Sequence, residues 1–163
     1  MGLASHIGIF YAMQGIVSLF MPAIVGIIAD RWVPAQRLLG ICHLLAALFM
    51  GAAGYYALAT GEGVSFGVLF TLYSLSVAFY MPTIALSNSV AYCVLEGSGY
   101  DTVKSFPPIR VWGTVGFICS MLLCDAAGFQ TTYMQFVQCA VLGLIQAGDG
   151  VAGLGLFRLF LDG

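Results

Sequence analysis

Arg110, Thr114 and Phe117 are the residues of this sequence best suited to hold a ligand. Their i, i+4, i+7 spacing puts them within about 60° of one another on a helix of 3.6 residues per turn. One face then presents a fixed cation, a hydroxyl and an aromatic ring. Such a set suits a polar ligand with a flat ring, through hydrogen bonds to its acceptors and stacking on its face. A plainer account uses the same residues. Pro107 and Pro108 suit the first turn of a helix, where a missing N–H costs nothing. Arg110 would then lie a turn inside that start and could snorkel to an interface, while Phe117 would pack or face lipid.

A second group lies near residue 30. Gly26 and Asp30 are four apart and share a helix face, with Arg31 next in sequence. A glycine there lets another helix approach closely, and a carboxylate can cap or pair with the N-terminus of a neighbouring helix. The alternative is an ordinary charged loop that sets topology. His43 sits inside an apolar run, where it is either a functional ionisable group or a neutral ring bonded to a neighbouring helix; the second is favoured. Gln14, Ser87, Asn88 and Ser89 can join helices by hydrogen bonds, and Gly113 and Gly116 read as close packing contacts. The five cysteines lie in or beside apolar runs, show no CxxC spacing and behave as small hydrophobes. No metal site, cofactor or catalytic residue is expected. HExxH, nucleophile-elbow and phosphate-loop motifs are absent, which argues against an enzyme.

The elements that position these residues follow from composition. The chain has 163 residues, 61% hydrophobic and 7% charged, against roughly 25% charged in a soluble domain. In water such a chain would expose large apolar surfaces; a bilayer is the solvent those surfaces prefer, and helices satisfy their own backbone there. The expected class is all-α integral membrane. No basic patch marks nucleic acid as a partner. Charges divide the chain into pieces near the roughly 20 residues that a bilayer core requires. Five spans result, near 5–28, 38–59, 63–95, 107–124 and 132–147. Arg31 and Arg37, Lys104, and Arg158 fall in alternate connections, while Glu62 and Asp125 fall in the others. The basic side is assigned to the cytoplasm, which places Met1 outside. A missing preceding span is the simplest expectation. Residues 146–150 would interrupt the fifth span, since glycine is a poor helix former. The division expected is 1–147 as part of a bundle and 148–163 as a divergent Gly-rich tail, either frameshifted or truncated or else a genuine terminal extension.

Several separated motifs carry a family resemblance. Gly26, Ala29, Asp30, Arg31 and Leu38 resemble the loop between helices two and three of the major facilitator superfamily, although Val33-Pro34-Ala35 replaces its Gly-Arg-basic part. Tyr80-Met81-Pro82-Thr83 and Phe106-Pro107-Pro108-Ile109-Arg110, followed by Trp112-Gly113-Thr114, look like the bacterial nucleoside:proton symporter branch. Met21-Pro22-Ala23, Ile41-Cys42-His43, Gly128-Phe129 and Met134-Gln135 agree with it. The likeness runs from about Ser5 to about Leu144. It implies a partial major facilitator fold, helices two to six of twelve, in the bacterial inner membrane. It also implies uptake of a nucleoside with a proton by alternating access. The matching positions imply that Arg110, Thr114 and Phe117 line the nucleoside site, and Gly26, Asp30 and Arg31 form part of a cytoplasmic gate. Helix one and the second bundle, where proton-relaying carboxylates would be sought, have no counterpart here, so an incomplete and inactive fragment is expected. A sugar or drug facilitator and a non-transporting membrane scaffold or remnant are the alternatives.

Overall fold

The computed structural model of the chain describes residues 7–129 and 132–152. Five helices follow one another: α1 (Ile7–Arg31), α2 (Ala35–Thr60), α3 (Phe66–Gly97), α4 (Thr102–Ala126) and α5 (Met134–Ala152). Four of them, α1 to α4, are long and apolar enough to cross a membrane. The apolar part of α5, Met134–Gly148, is about 22 Å long at 1.5 Å per residue, less than the roughly 30 Å of a hydrocarbon core. The fifth expected span is therefore present as a helix but is shorter than the others. It does not break at 146–150 as its glycines suggested. Ala147 is buried, and packing against α2 outweighs the weak local propensity.

The side-chain contacts give every helix its direction. Phe10 at the start of α1 meets Phe66, Phe70 and Tyr73 at the start of α3, so those two run parallel. The Tyr56 hydroxyl accepts from the Ser65 N–H just before α3, the Ser76 hydroxyl donates to the Ala46 carbonyl at 2.8 Å, and the Tyr80 ring lies edge-on to His43, so α2 and α3 run antiparallel. Against α5, residues 54, 51 and 47 of α2 meet 136–137, 140 and 143 in reverse order. The helices alternate up and down. Arg31, Arg37 and Lys104 consequently lie at one end of the set, and the connections holding Glu62 and Asp125 lie at the other.

The tightest seam is between α2 and α5, and it is made of small residues. A Cβ added to Gly143 would stand 3.0 Å from the Ala47 Cβ, and one on Gly54 3.2 Å from the Phe136 Cβ. In lipid, where water no longer drives apolar faces together, such close backbone approach supplies the attraction. At the basic end, Val25, Leu38, Cys42 and Leu86 form a buried cluster that joins α1, α2 and α3.

Helix α4 begins earlier than its prolines indicate. Asp101 is the N-cap, and its carboxylate accepts from the Val103 and Lys104 N–H groups at 3.0 and 3.4 Å. This satisfies donors that a helix start leaves unpaired. Pro107 and Pro108 therefore sit in the second turn rather than the first. The preceding helix stops sharply: Gly99 takes φ 76°, Gly99 N–H donates to the Glu96 carbonyl and Tyr100 N–H to the Leu95 carbonyl. That is the glycine-terminated helix ending, which suits a residue with no Cβ. Together the stop and the cap turn the chain in four residues and send α4 back along α3.

Candidate functional site

The antiparallel pair α3 and α4 holds the candidate site. The Tyr92 and Phe106 rings stack at 4.2 Å, 18° from parallel. Four residues back along α3 and four on along α4, Asn88 and Arg110 meet in the same register. Arg110 Nη1 donates to Asn88 Oδ1 at 3.2 Å. A further turn along α4 brings Thr114, whose hydroxyl donates to the Arg110 carbonyl at 3.4 Å, and then Phe117, 65% exposed.

Arg110, Thr114 and Phe117 thus share one face of α4. Arg110 is not in the first turn, because the helix starts at Thr102; it lies about 12 Å inside. Its guanidinium does not turn back toward the helix end but crosses to α3. Among the described residues no residue of α4 is buried, so the face carrying these groups is open within this chain. Gly113 and Gly116, expected to be packing contacts, have nothing within 4 Å of an added Cβ. The contacts that join α4 to its neighbours include the two α3 pairs above and Gln138 of α5, whose amide donates to the Ser120 carbonyl at 3.1 Å, and neither glycine lies at one of these.

The groups near residue 30 are placed differently. Gly26 also meets nothing within 4 Å, so no helix among the described residues packs closely on it. Asp30 and Arg31 are exposed at the end of α1, and among the described residues neither forms an ion pair. Asp30 does not cap α2, whose N-cap is Pro34 with no side-chain bond. The structure brings Asp30 and Arg31 close to the α1–α2 turn and not to the Arg110 face.

His43 is 8% exposed, between α2, α3 and α5. Its Nδ1 donates to the Leu39 carbonyl of its own helix at 3.0 Å, the Tyr80 ring of α3 lies edge-on at 6.5 Å, and the Gln146 side chain of α5 reaches it. The hydrogen bond thus runs to its own helix, while the neighbouring helices supply the Tyr80 ring and the nearby Gln146. The sequence gives Asn88 a helix-joining part and no more than a weak possibility of a ligand role. An amide at membrane depth, on the span before the arginine, was the available signal; the register that pairs it with Arg110 was not visible.

Comparison with known proteins places this arrangement. The family described as Nucleoside H+ symporter matches residues 3–154, which carries the likeness past Leu144, where the motifs end. The nucleoside permease NupG of Escherichia coli is 40% identical over 143 residues, 86% of this chain and 32% of that protein. The xanthosine permease of Escherichia coli is 45% identical over 117 residues, 72% of this chain and 26% of that one. The crystal structure of the nucleoside transporter NupG superposes with a TM-score of 0.80 at 35% identity, covering 90% of this chain and 34% of that one. The chain spans about a third or less of the length of these relatives. Its helices are a part of the major facilitator fold, and it is a multi-pass membrane protein. With a family match running through nearly all of its length, the chain belongs to the nucleoside H+ symporter family.

Proposed function

We propose that this chain serves proton-coupled uptake of nucleosides across the bacterial inner membrane, as helices two to six of a twelve-helix facilitator working by alternating access. The observation that carries the proposal is the open face of α4, where Arg110 is fixed by a cross-helix bond above an exposed aromatic ring. Arg110 donates to acceptors of the nucleoside. Thr114 spends its hydrogen on the Arg110 carbonyl and so offers lone pairs to a ligand N–H or O–H. Phe117 stacks on the base, for which an aromatic face is suited. Gly26, with Asp30 and Arg31 exposed at the cytoplasmic end of α1, belongs to the gate between the two bundles. Protons and the second half of the site are supplied by parts of the transporter that this length of chain does not match.

The test uses a full-length Escherichia coli nucleoside permease in which residues 3–154 of this chain replace the matched third. In cells without other nucleoside uptake, this chimera accumulates labelled uridine, and a protonophore abolishes the accumulation. Nucleosides compete and sugars do not. Arg110→Ala lowers uptake at low uridine at least tenfold, the loss anticipated for hydrogen bonds from a charged group. An Arg110→Ala chimera that takes up uridine at the parental rate overturns the site. Competition by sugars instead would point to another facilitator. A chimera that reaches the membrane but is neither active nor stabilised against heat by uridine would point to a non-transporting scaffold, since a ligand of the folded form must stabilise it.

A further inference from the structure

We infer that Asn88 is a positioning residue for substrate binding, acting through Arg110; the inference rests on the assignment of Arg110 to the nucleoside site. An arginine side chain carries donors only, on a flexible stem of three methylenes. On a helix with no buried residue it would lose much rotamer freedom on capturing a ligand. The Asn88 amide removes that freedom beforehand. Because the guanidinium offers no acceptor, it is the amide oxygen that must face it, at 3.2 Å. Accepting from Nη1 leaves the other four N–H groups of the guanidinium for a ligand and turns the Asn88 NH2, two more donors, away from the arginine.

The backbone beneath this bond is held by an independent contact. The Tyr92–Phe106 stack lies one turn toward the cytoplasmic end on both helices, so the α3–α4 register is set by an apolar pair and the aim of the guanidinium by a polar one. The two functions are separable. Removing Asn88 should leave α4 in place and release the arginine. The pair also favours a ligand edge rich in acceptors, such as the carbonyl side of a pyrimidine base, with the Thr114 oxygen one turn further on taking a neighbouring N–H or O–H.

The experiment is a pair of substitutions in the chimera, with uptake corrected for protein at the membrane. Asn88→Leu keeps the volume and removes the acceptor; Asn88→Asp keeps an acceptor for the guanidinium. The expected result is a rise of about tenfold in KM for Asn88→Leu with kcat within about twofold, and KM within about threefold of the parent for Asn88→Asp. In an Arg110→Ala background, Asn88→Leu should then cost nothing further, because a residue that acts only through its partner has no effect once the partner is gone. Equal loss in Leu and Asp variants would overturn the inference, as direct ligand contact by the amide NH2 or a general structural part predicts. So would parental KM in both, or multiplicative losses in the double variant. An inactive parental chimera, or an Arg110→Ala chimera with parental uptake, would instead overturn the nucleoside-site assignment itself.

Discussion

Residues at the candidate site divide the labour by chemical type. In the proposed site Arg110 would supply charge and donors, Thr114 an acceptor, and Phe117 a flat apolar surface left mostly uncovered by the described residues. Aromatic stacking contributes about 0.5–1.5 kcal/mol beyond the area it hides. Phe117→Leu in the chimera should therefore raise the KM for uridine three- to tenfold, and Phe117→Tyr should stay near the parent. Equal behaviour of the two variants would show that the ring is lipid-facing packing. That the arginine, threonine and phenylalanine share one face was legible from helical spacing alone. Asn88 was not, since a single amide on another span has no spacing relation to Arg110 until the turn at 98–101 fixes the register. For Gly26 a related limit holds: a glycine advertises close approach, but only the fold shows which helix arrives, and none does among the described residues.

At the scale of the element, charge-free runs gave the helices and local chemistry gave their ends imperfectly. Pro107 and Pro108 marked a plausible start for α4, yet Asp101 two turns earlier makes the cap. An Asp directly before Thr-Val-Lys was the overlooked signal. Asp101→Ala should destabilise α4 by about 1 kcal/mol and Asp101→Ser much less, measured by thermal unfolding of the chain in detergent; equal stability of the Ala variant would show that the cap is idle. The α2–α5 seam was similarly readable in principle. Ala47, Gly51 and Gly54 on one helix and Ala140, Gly143 and Ala147 on the other recur at the intervals that place small residues on one helix face. Gly143→Leu forces a side chain where even a Cβ meets Ala47 at 3.0 Å. The expected cost is about 1–3 kcal/mol. Gly116→Ala, with open space around it, should be neutral or slightly stabilising by helix propensity. A seam variant that melts with the parent would mean that α5 is not held on α2 as described.

For the whole molecule, the decisive contrast is between a well-joined group and an open one. Helices α1, α2, α3 and α5 are tied by the basic-end cluster, the Phe10 contacts and the small-residue seam, whereas α4 carries the candidate site with no residue buried among those described. A binding site that must exclude water and open alternately to two sides cannot be enclosed by one exposed helix face. Alternating access needs a second bundle to rock against the first, and the relatives are about three times as long. Cells expressing these 163 residues alone should therefore insert the chain without accumulating uridine. Insertion itself is checked by labelling single cysteines in a cysteine-free version. Cysteines introduced at Gln36 and Ser98 should react only from the cytoplasmic side, and one at Gly63 only from outside, because basic connections stay inside. Reversed labelling would overturn the orientation. Saturable, gradient-dependent uridine uptake by the chain alone would show that the open face of α4 is completed without a second bundle, most simply by another copy of the same chain.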